Sequence, residues 1–352
     1  MRSAGIFLAA VGACVFFLPG RTARAEDWPQ WRGPGRDAKV SGFRAPAAWP
    51  KELKKVWTVT VGQGDDTPAL VGDRLYVFGR QGGDEVALCL EAATGKEVWR
   101  EKYASEPSTG ASGRHPGPRG STLVADGKVV TFGVRGILSS FDAATGKLLW
   151  RKDEFPGRWP QFFAAASPIA AGGTCVAFLG GKGNGALVAF DLATGAEKWR
   201  WAEEGPEYSS PALLEIEGTK QIVVLGERSL AGVGAADGKL LWKTPFVPQG
   251  RSYNACTPIV DGATVYVSSG SEGTKAFLVE KAGDKFAAKE LWQNPDVFVQ
   301  FNTPVLKDGR VSWTKSLGAR GGFGSVVDAG SVLAGSRVFV RDQDSVTLWA
   351  IE

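Results

Sequence analysis

Histidine is almost missing from this sequence: His115 is the only one in 352 residues. Four cysteines are present, none in a Cys-x-x-Cys pair and no two adjacent. Together these shortages remove the usual donor sets for zinc or transition metals, so no metal site is expected. One cysteine, Cys14, lies in the apolar leader. The other three, Cys89, Cys175 and Cys256, are far apart and sit in or beside apolar strands, which suits buried, inert thiols. An odd number also rules out complete internal pairing.

Charge of one sign is lacking too. The whole chain has 41 basic and 37 acidic residues, and three of the arginines fall within residues 1–25, which hold no acid. The rest is close to neutral, which excludes nucleic-acid binding by charge. Helical periodicity is nearly absent beyond the first 20 residues. Phosphate-loop chemistry is excluded as well: Gly180-Gly-Lys-Gly-Asn-Gly185 lies between two strands, where no helix N-terminus follows, and reads as a hairpin turn. Asp342-Gln-Asp344 is too sparse for a calcium loop. No serine sits in a nucleophile elbow, and His115, flanked by proline with no evident carboxylate or nucleophile partner, reads as a loop hydrogen-bonder; no catalytic residue is assigned.

What is present is a repeat. The phrase Leu90-Glu-Ala-Ala-Thr-Gly-Lys-Glu-Val-Trp99 returns as Phe141-Asp-Ala-Ala-Thr-Gly-Lys-Leu-Leu-Trp150 and Phe190-Asp-Leu-Ala-Thr-Gly-Ala-Glu-Lys-Trp199. A worn copy ends at Trp242 and a more distant one at Trp292; the tryptophans are 51, 49, 43 and 50 residues apart. Such a period marks repeated supersecondary units. Between tryptophans, a small residue and proline open an apolar run at Thr67-Pro68, Ser167-Pro168, Ser210-Pro211, Thr257-Pro258 and Thr303-Pro304. Most runs end in a Gly or Asp-Gly turn, such as Asp126-Gly127, the signal of a tight hairpin.

Four short antiparallel strands per repeat make the blade of a β-propeller. Asp142 and Asp191 are expected to accept backbone N–H groups within their turns, and Gly95, Gly146 and Gly195 to take the left-handed conformation. Trp57, Trp99, Trp150, Trp199, Trp242 and Trp292 are expected to fill the wedges between blades, where each indole N–H needs a partner. Five units span about 66–103, 119–153, 164–203, 208–246 and 254–293. Residues 302–316 offer two strands without a Thr-Gly turn, and 323–329, 336–341 and 345–351 offer three more. The strand Lys55 to Val61, carrying Trp57, has no preceding strands and is expected to close the last blade, leaving no open edge. The fold class is all-β: a propeller of six full blades, or seven, closed by the N-terminal strand.

Residues 1–25 read as a secretory signal peptide, with Ala23-Arg-Ala25 a cleavage site, which implies a periplasmic or secreted protein without a transmembrane span. Val11-Gly-Ala-Cys14 leaves a lipoprotein as the alternative. Residues 26–53 form an irregular arm, and 54–352 one propeller domain.

The repeated Asp-x-x-Thr-Gly-x-x-x-Trp phrase resembles the quinoprotein-like propeller family, shared by PQQ-dependent alcohol dehydrogenases and the propeller-type outer-membrane assembly factor B. Asp27-Trp-Pro-Gln-Trp-Arg-Gly-Pro34, Arg114-His-Pro-Gly-Pro-Arg119 and Gly321-Gly-Phe-Gly324 resemble exported PQQ-binding-like repeat proteins. Relatives of this kind carry seven or eight blades, so the chain has lost material around 307–335. The enzymes of the family hold PQQ with Ca²⁺, an Asp base, a disulfide between adjacent cysteines and a tryptophan. The adjacent cysteines are lacking here and no calcium ligands can be assigned, so the resemblance implies fold and no cofactor.

Long loops between blades collect binding residues. Arg114, His115 and Arg119, then Arg158 and Trp159, then Arg251 and Tyr253, then Phe298 and Asn302, with Arg320, are expected to face one funnel. Arginine with aromatics suits an anionic or planar ligand or a protein hot spot; the same residues also suit plain loop packing. The reading is a monomeric, non-enzymatic exported propeller that binds a protein or another envelope macromolecule. A reduced PQQ-dependent alcohol or sugar dehydrogenase is the alternative, and a defective ring a third reading.

Overall fold

The computed structural model describes residues 27–40, 42–299, 301, 303–307, 310–312 and 331–351. They form six four-stranded antiparallel sheets and one two-stranded sheet. Blade one comprises Ala69–Val71, Arg74–Gln81, Asp84–Glu91 and Glu97–Ala104, hydrogen-bonded in chain order. Blade two runs from Leu123–Ala125 to Leu148–Lys152, blade three from Ile169–Ala171 to Glu197–Trp201, blade four from Ala212–Ile216 to Leu240–Pro245. Blade five runs from Ile259–Asp261 to Lys285–Asn294. Val305–Lys307 pairs with Arg310–Ser312 to give a sixth, two-stranded unit.

The closing sheet is Ser331–Ala334, Arg337–Asp342 and Ser345–Ala350, with Lys54–Thr60 as its outer strand. Lys54 pairs with Ala350 and Thr60 with Ser345, so the beginning of the domain supplies the strand that its end lacks. The expected first strand at 323–329 lies outside the described residues; the first strand of this sheet is Ser331–Ala334.

The small-residue-proline signature joins blades near the axis. The N–H of Thr67 donates to the Ser121 hydroxyl (3.0 Å), Ser121 to Ser167 (2.9 Å), Ser167 to Ser210 (2.8 Å) and Thr257 to Thr303 (3.1 Å). At these four joints one unit's hydroxyl satisfies the N–H beside its neighbour's innermost strand. Apolar faces pack from blade to blade. Leu70, Leu75, Val77 and Leu88 of blade one lie against Val332, Phe339, Val346 and Leu348 of the closing sheet.

The acidic-x-x-Thr-Gly turn binds neighbouring blades at their outer edge. Asp142 Oδ1 accepts the Thr145 N–H and hydroxyl, and Asp191 Oδ1 does the same for Thr194. These hydrogen bonds hold both carboxyls below the usual range, Asp191 at about 2. Gly146 closes its turn at φ +77°, and an added Cβ would stand 2.7 Å from the Trp99 ring of the preceding blade. Trp99 donates its indole N–H to the Ala143 carbonyl at 3.0 Å. The arrangement repeats with Trp57 on Gly95 and the Ala92 carbonyl, Trp150 on Gly195 and the Leu192 carbonyl, and Trp199 on Gly238 and the Ala235 carbonyl.

Two tryptophans differ. Trp242 donates to Gln221 of its own blade, and blade five turns through the tighter hairpin Lys281-Ala-Gly-Asp284, with Ala282 paired to Lys285. Trp292 is 43% exposed, against 4–8% for Trp99, Trp150, Trp199 and Trp242.

The arm, read from sequence as irregular, has a defined place. Trp28 bridges Leu70 through two backbone hydrogen bonds, and the Pro29 carbonyl accepts from Val124. Arg32 donates to the Thr303 and Pro304 carbonyls, and Arg36 to those of Pro168 and Pro211. Trp31 reaches the Thr257 hydroxyl. The arm thus touches the first strand, or the segment leading into it, of every unit from blade one to the sixth.

Candidate functional site

The loops that join one blade to the next carry most of the residues singled out by sequence. His115 Nδ1 lies 3.0 Å from Asp65 Oδ2, so a carboxylate partner exists after all. It comes from the connection before blade one, 50 residues away, and no local signal announces it. Arg119 donates to the carbonyls of Phe162 and His115 (the latter at 2.9 Å), tying the first two inter-blade loops together. It is the carbonyl-capping role that the sequence left open.

Phe162 then meets Tyr253 at 5.4 Å edge-on and Tyr208 at 6.0 Å, while Tyr208 and Tyr253 are 5.8 Å apart. The Tyr208 hydroxyl accepts the Phe162 N–H. This three-ring cluster joins loops after blades two, three and four. Trp159 belongs to a second cluster, stacked on Phe163 at 5.4 Å with the Arg135 guanidinium 4.9 Å above its ring. Tyr208, Phe162 and Arg135 were not expected from sequence. Arg114, Arg158 and Arg251 are exposed on the same inter-blade loops, and Phe298 is 48% exposed. Asn302 and Arg320 lie outside the described residues.

Two cavities lie beside these loops: about 10 Å³ next to Trp159 and Ala164, and about 240 Å³ between Phe155, Arg200 and Arg228.

Buried acids fasten the same rim. Glu85 of blade one accepts the Val134 N–H of blade two at 2.8 Å and the Tyr103 hydroxyl, and burial raises its pKa. Glu204 accepts the Arg228 N–H at 3.0 Å and the Ser229 hydroxyl across the next seam but one. Asp66, fully buried, accepts the Phe78 N–H at 3.2 Å and faces Arg341 of the closing sheet at 3.2 Å. Burial pushes its carboxyl up to about 6 against the pull of Arg341.

These residues do not fit a quinone held on calcium. Asp65, Asp66, Glu85 and Glu204 of this rim are committed to His115, Arg341, backbone N–H groups or hydroxyls. Among the described residues no three His, Cys, Asp or Glu side chains gather as a cation site. Cys89 of blade one, Cys175 of blade three and Cys256 of the connection before blade five are single buried thiols.

An all-β ring of Trp-bearing, acidic-x-x-Thr-Gly blades defines a propeller of the PQQ-like repeat class. Comparison with known proteins agrees: residues 51–200 and 108–308 match the family described as outer membrane protein assembly factor BamB, and the chain belongs to it. BamB of Burkholderia pseudomallei is 27% identical, over 83% of this chain and 86% of that protein. Quinohemoprotein alcohol dehydrogenase of Comamonas testosteroni is 26% identical over 64% of this chain, but the match spans only 32% of the enzyme. Among solved structures, BamB from Moraxella catarrhalis superposes with TM-score 0.52 at 15% identity, covering 85% of this chain and all of that one. The Comamonas dehydrogenase gives 0.58 at 20% identity over 78% and 50%. Both structural likenesses speak to fold. No helix among the described residues is long and apolar enough to cross a membrane.

Proposed function

We propose that the chain is a monomeric, exported propeller that binds an acidic protein surface in the cell envelope through its inter-blade loop face, without catalysis. The observation that carries this reading is the Phe162–Tyr208–Tyr253 cluster, whose Phe162 carbonyl accepts from Arg119, with Arg114, Arg158 and Arg251 exposed on the same inter-blade loops. Rigid aromatics ringed by arginine have the composition of binding hot spots, and three exposed positive charges favour a negative partner. The relatives named for outer membrane protein assembly support an assembly role and an envelope location, for which residues 1–25 would be the export signal. Those residues lie outside the described part of the structure, as does Cys14 of the alternative lipid anchor.

The test is affinity capture from an envelope fraction with the wild type and with Arg114→Glu/Arg158→Glu/Arg251→Glu. A partner retained by the wild type and lost from the triple variant, with unchanged thermal unfolding, is the expected result. Equal capture by both argues against this face. Similarity to quinohemoprotein dehydrogenases gives the second reading its test. Saturable, stoichiometric binding of PQQ with Ca²⁺ by calorimetry would replace the binding role with an oxidoreductase.

A further inference from the structure

Charge is balanced over the whole chain but not along it. Residues 39–55, which lead from the arm into the closing strand, hold Lys39, Arg44, Lys51, Lys54 and Lys55 against a single acid, Glu52. Lys39 is paired with Asp37. Arg44, Lys51 and Lys55 are exposed and make no ion pair among the described residues. Apolar groups stand among these cations. Trp49 is 61% exposed, more than any other large apolar side chain of the described residues. The Phe43 ring lies 6.2 Å from it, and Leu53 is 37% exposed. The residues described between 42 and 53 form neither helix nor strand, so nothing in the ring buries the indole or neutralises the charges.

Both ends of the segment are fastened to one rim. Ahead of it, Asp27 accepts the Gly72 N–H in the turn between the first two strands of blade one. After it, Lys54 pairs with Ala350, which also faces Arg337 beside the Gly335-Ser336 turn of the closing sheet. In antiparallel four-stranded blades these first turns share a rim, and the inter-blade loops occupy the opposite one.

From this we infer that residues 42–55 are a membrane-docking surface, which seats the turn rim on an anionic lipid bilayer. Lysine and arginine near such a surface are drawn by its negative potential. Tryptophan favours the headgroup region, where the ring is covered and the N–H stays wet. Cations interleaved with an exposed indole and leucine therefore match both properties of the lipid surface. An irregular segment without a groove gives a folded protein little shape to match, whereas a bilayer requires none. Seated this way, the ring turns its inter-blade loops away from the membrane. The surface lies apart from the loop face and stands whether or not that face binds a partner.

The test is co-sedimentation of the leader-free chain, residues 26–352, which keeps every described residue. The vesicles are phosphatidylcholine alone, or phosphatidylcholine mixed equally with phosphatidylglycerol. Saturable binding to the mixed vesicles only, weakened by about 0.5 M salt, is expected. Arg44→Glu/Lys51→Glu/Lys55→Glu should lower it at least about tenfold, and Trp49→Ser severalfold, with thermal unfolding unchanged in both. Brominated lipid should quench a part of the wild type's fluorescence that Trp49→Phe lacks. The loop variant Arg114→Glu/Arg158→Glu/Arg251→Glu should bind vesicles as the wild type does, which separates this surface from the loop face. Absence of vesicle binding, equal binding to both lipids, or unchanged binding by the triple arm variant overturns the inference. Loss of vesicle binding in the loop variant also overturns it, making the loop face the lipid surface. Capture of an acidic protein that only the arm variant loses, without vesicle binding, overturns it in favour of a protein partner.

Discussion

At the scale of single residues, the glycine of the blade turn meets two demands at once. Gly146 sits at φ +77°, where a side chain costs about 1 kcal/mol. A Cβ there would also press 2.7 Å from the Trp99 indole, and relieving such overpacking adds about 1–3 kcal/mol. Gly127 separates the two effects: its φ is +70°, yet nothing lies within 4 Å of its notional Cβ. Urea unfolding should therefore show Gly146→Ala losing about 2–4 kcal/mol and Gly127→Ala about 1 kcal/mol. Equal losses would mean that the indole does not bear on the glycine.

At the scale of elements, legibility in the sequence tracked the distance between partners. The blade turns could be read because Asp142, Thr145 and Gly146 act within one turn and announce themselves by spacing. The closing strand could be read because Trp57 stands in a strand with no companions before it. The arm could not: Arg32 and Arg36 bind carbonyls 132 to 272 residues away, and nothing local distinguishes them from surface arginines. Asp65, the partner of His115, and the rim acids Glu85 and Glu204 were hidden for the same reason. Each is a lone acid whose acceptor role depends on a neighbouring blade. The loop arginines illustrate the ambiguity that remains in composition: Arg119 caps carbonyls, whereas Arg114, Arg158 and Arg251 are exposed. The arm makes its own prediction. Arg36→Met leaves the Pro168 and Pro211 carbonyls buried without donors, at about 1–3 kcal/mol each, partly offset by relief of the buried charge's desolvation and of repulsion from Arg32. A net loss of about 3 kcal/mol is expected in chemical denaturation, whereas Arg44→Met, on the exposed part of the arm, should stay within about 0.5 kcal/mol of the wild type.

At the scale of the whole molecule, the ring is held at its seam by one strand and one buried ion pair. Arg341 donates to the Gly62 and Gly64 carbonyls and faces Asp66, so a single side chain ties the closing sheet to the chain entering blade one. Removing it strands a buried carboxylate, and Arg341→Met should cost about 3–5 kcal/mol at pH 7. The acid's titration gives the seam a pH signature whose sign is unusual for a carboxylate. Asp66 is raised from 3.8 to about 6 because burial outweighs its attraction to Arg341. The folded state therefore binds the proton more tightly than the unfolded chain. The resulting stability is complete below about pH 4 and disappears as pH rises through 6. Carboxylates of the exposed turns, such as Asp191 at about 2, run the other way, so the wild type must be compared with Asp66→Asn. The wild type's stability relative to that variant should grow by roughly 1 kcal/mol between pH 7 and pH 5, well under the ceiling of about 1.4 kcal/mol for each of the two pH units because the acid is still ionised at pH 7. Urea denaturation at the two pH values measures it. A difference that stays constant or shrinks on acidification would show that Arg341, not burial, governs the proton at the seam.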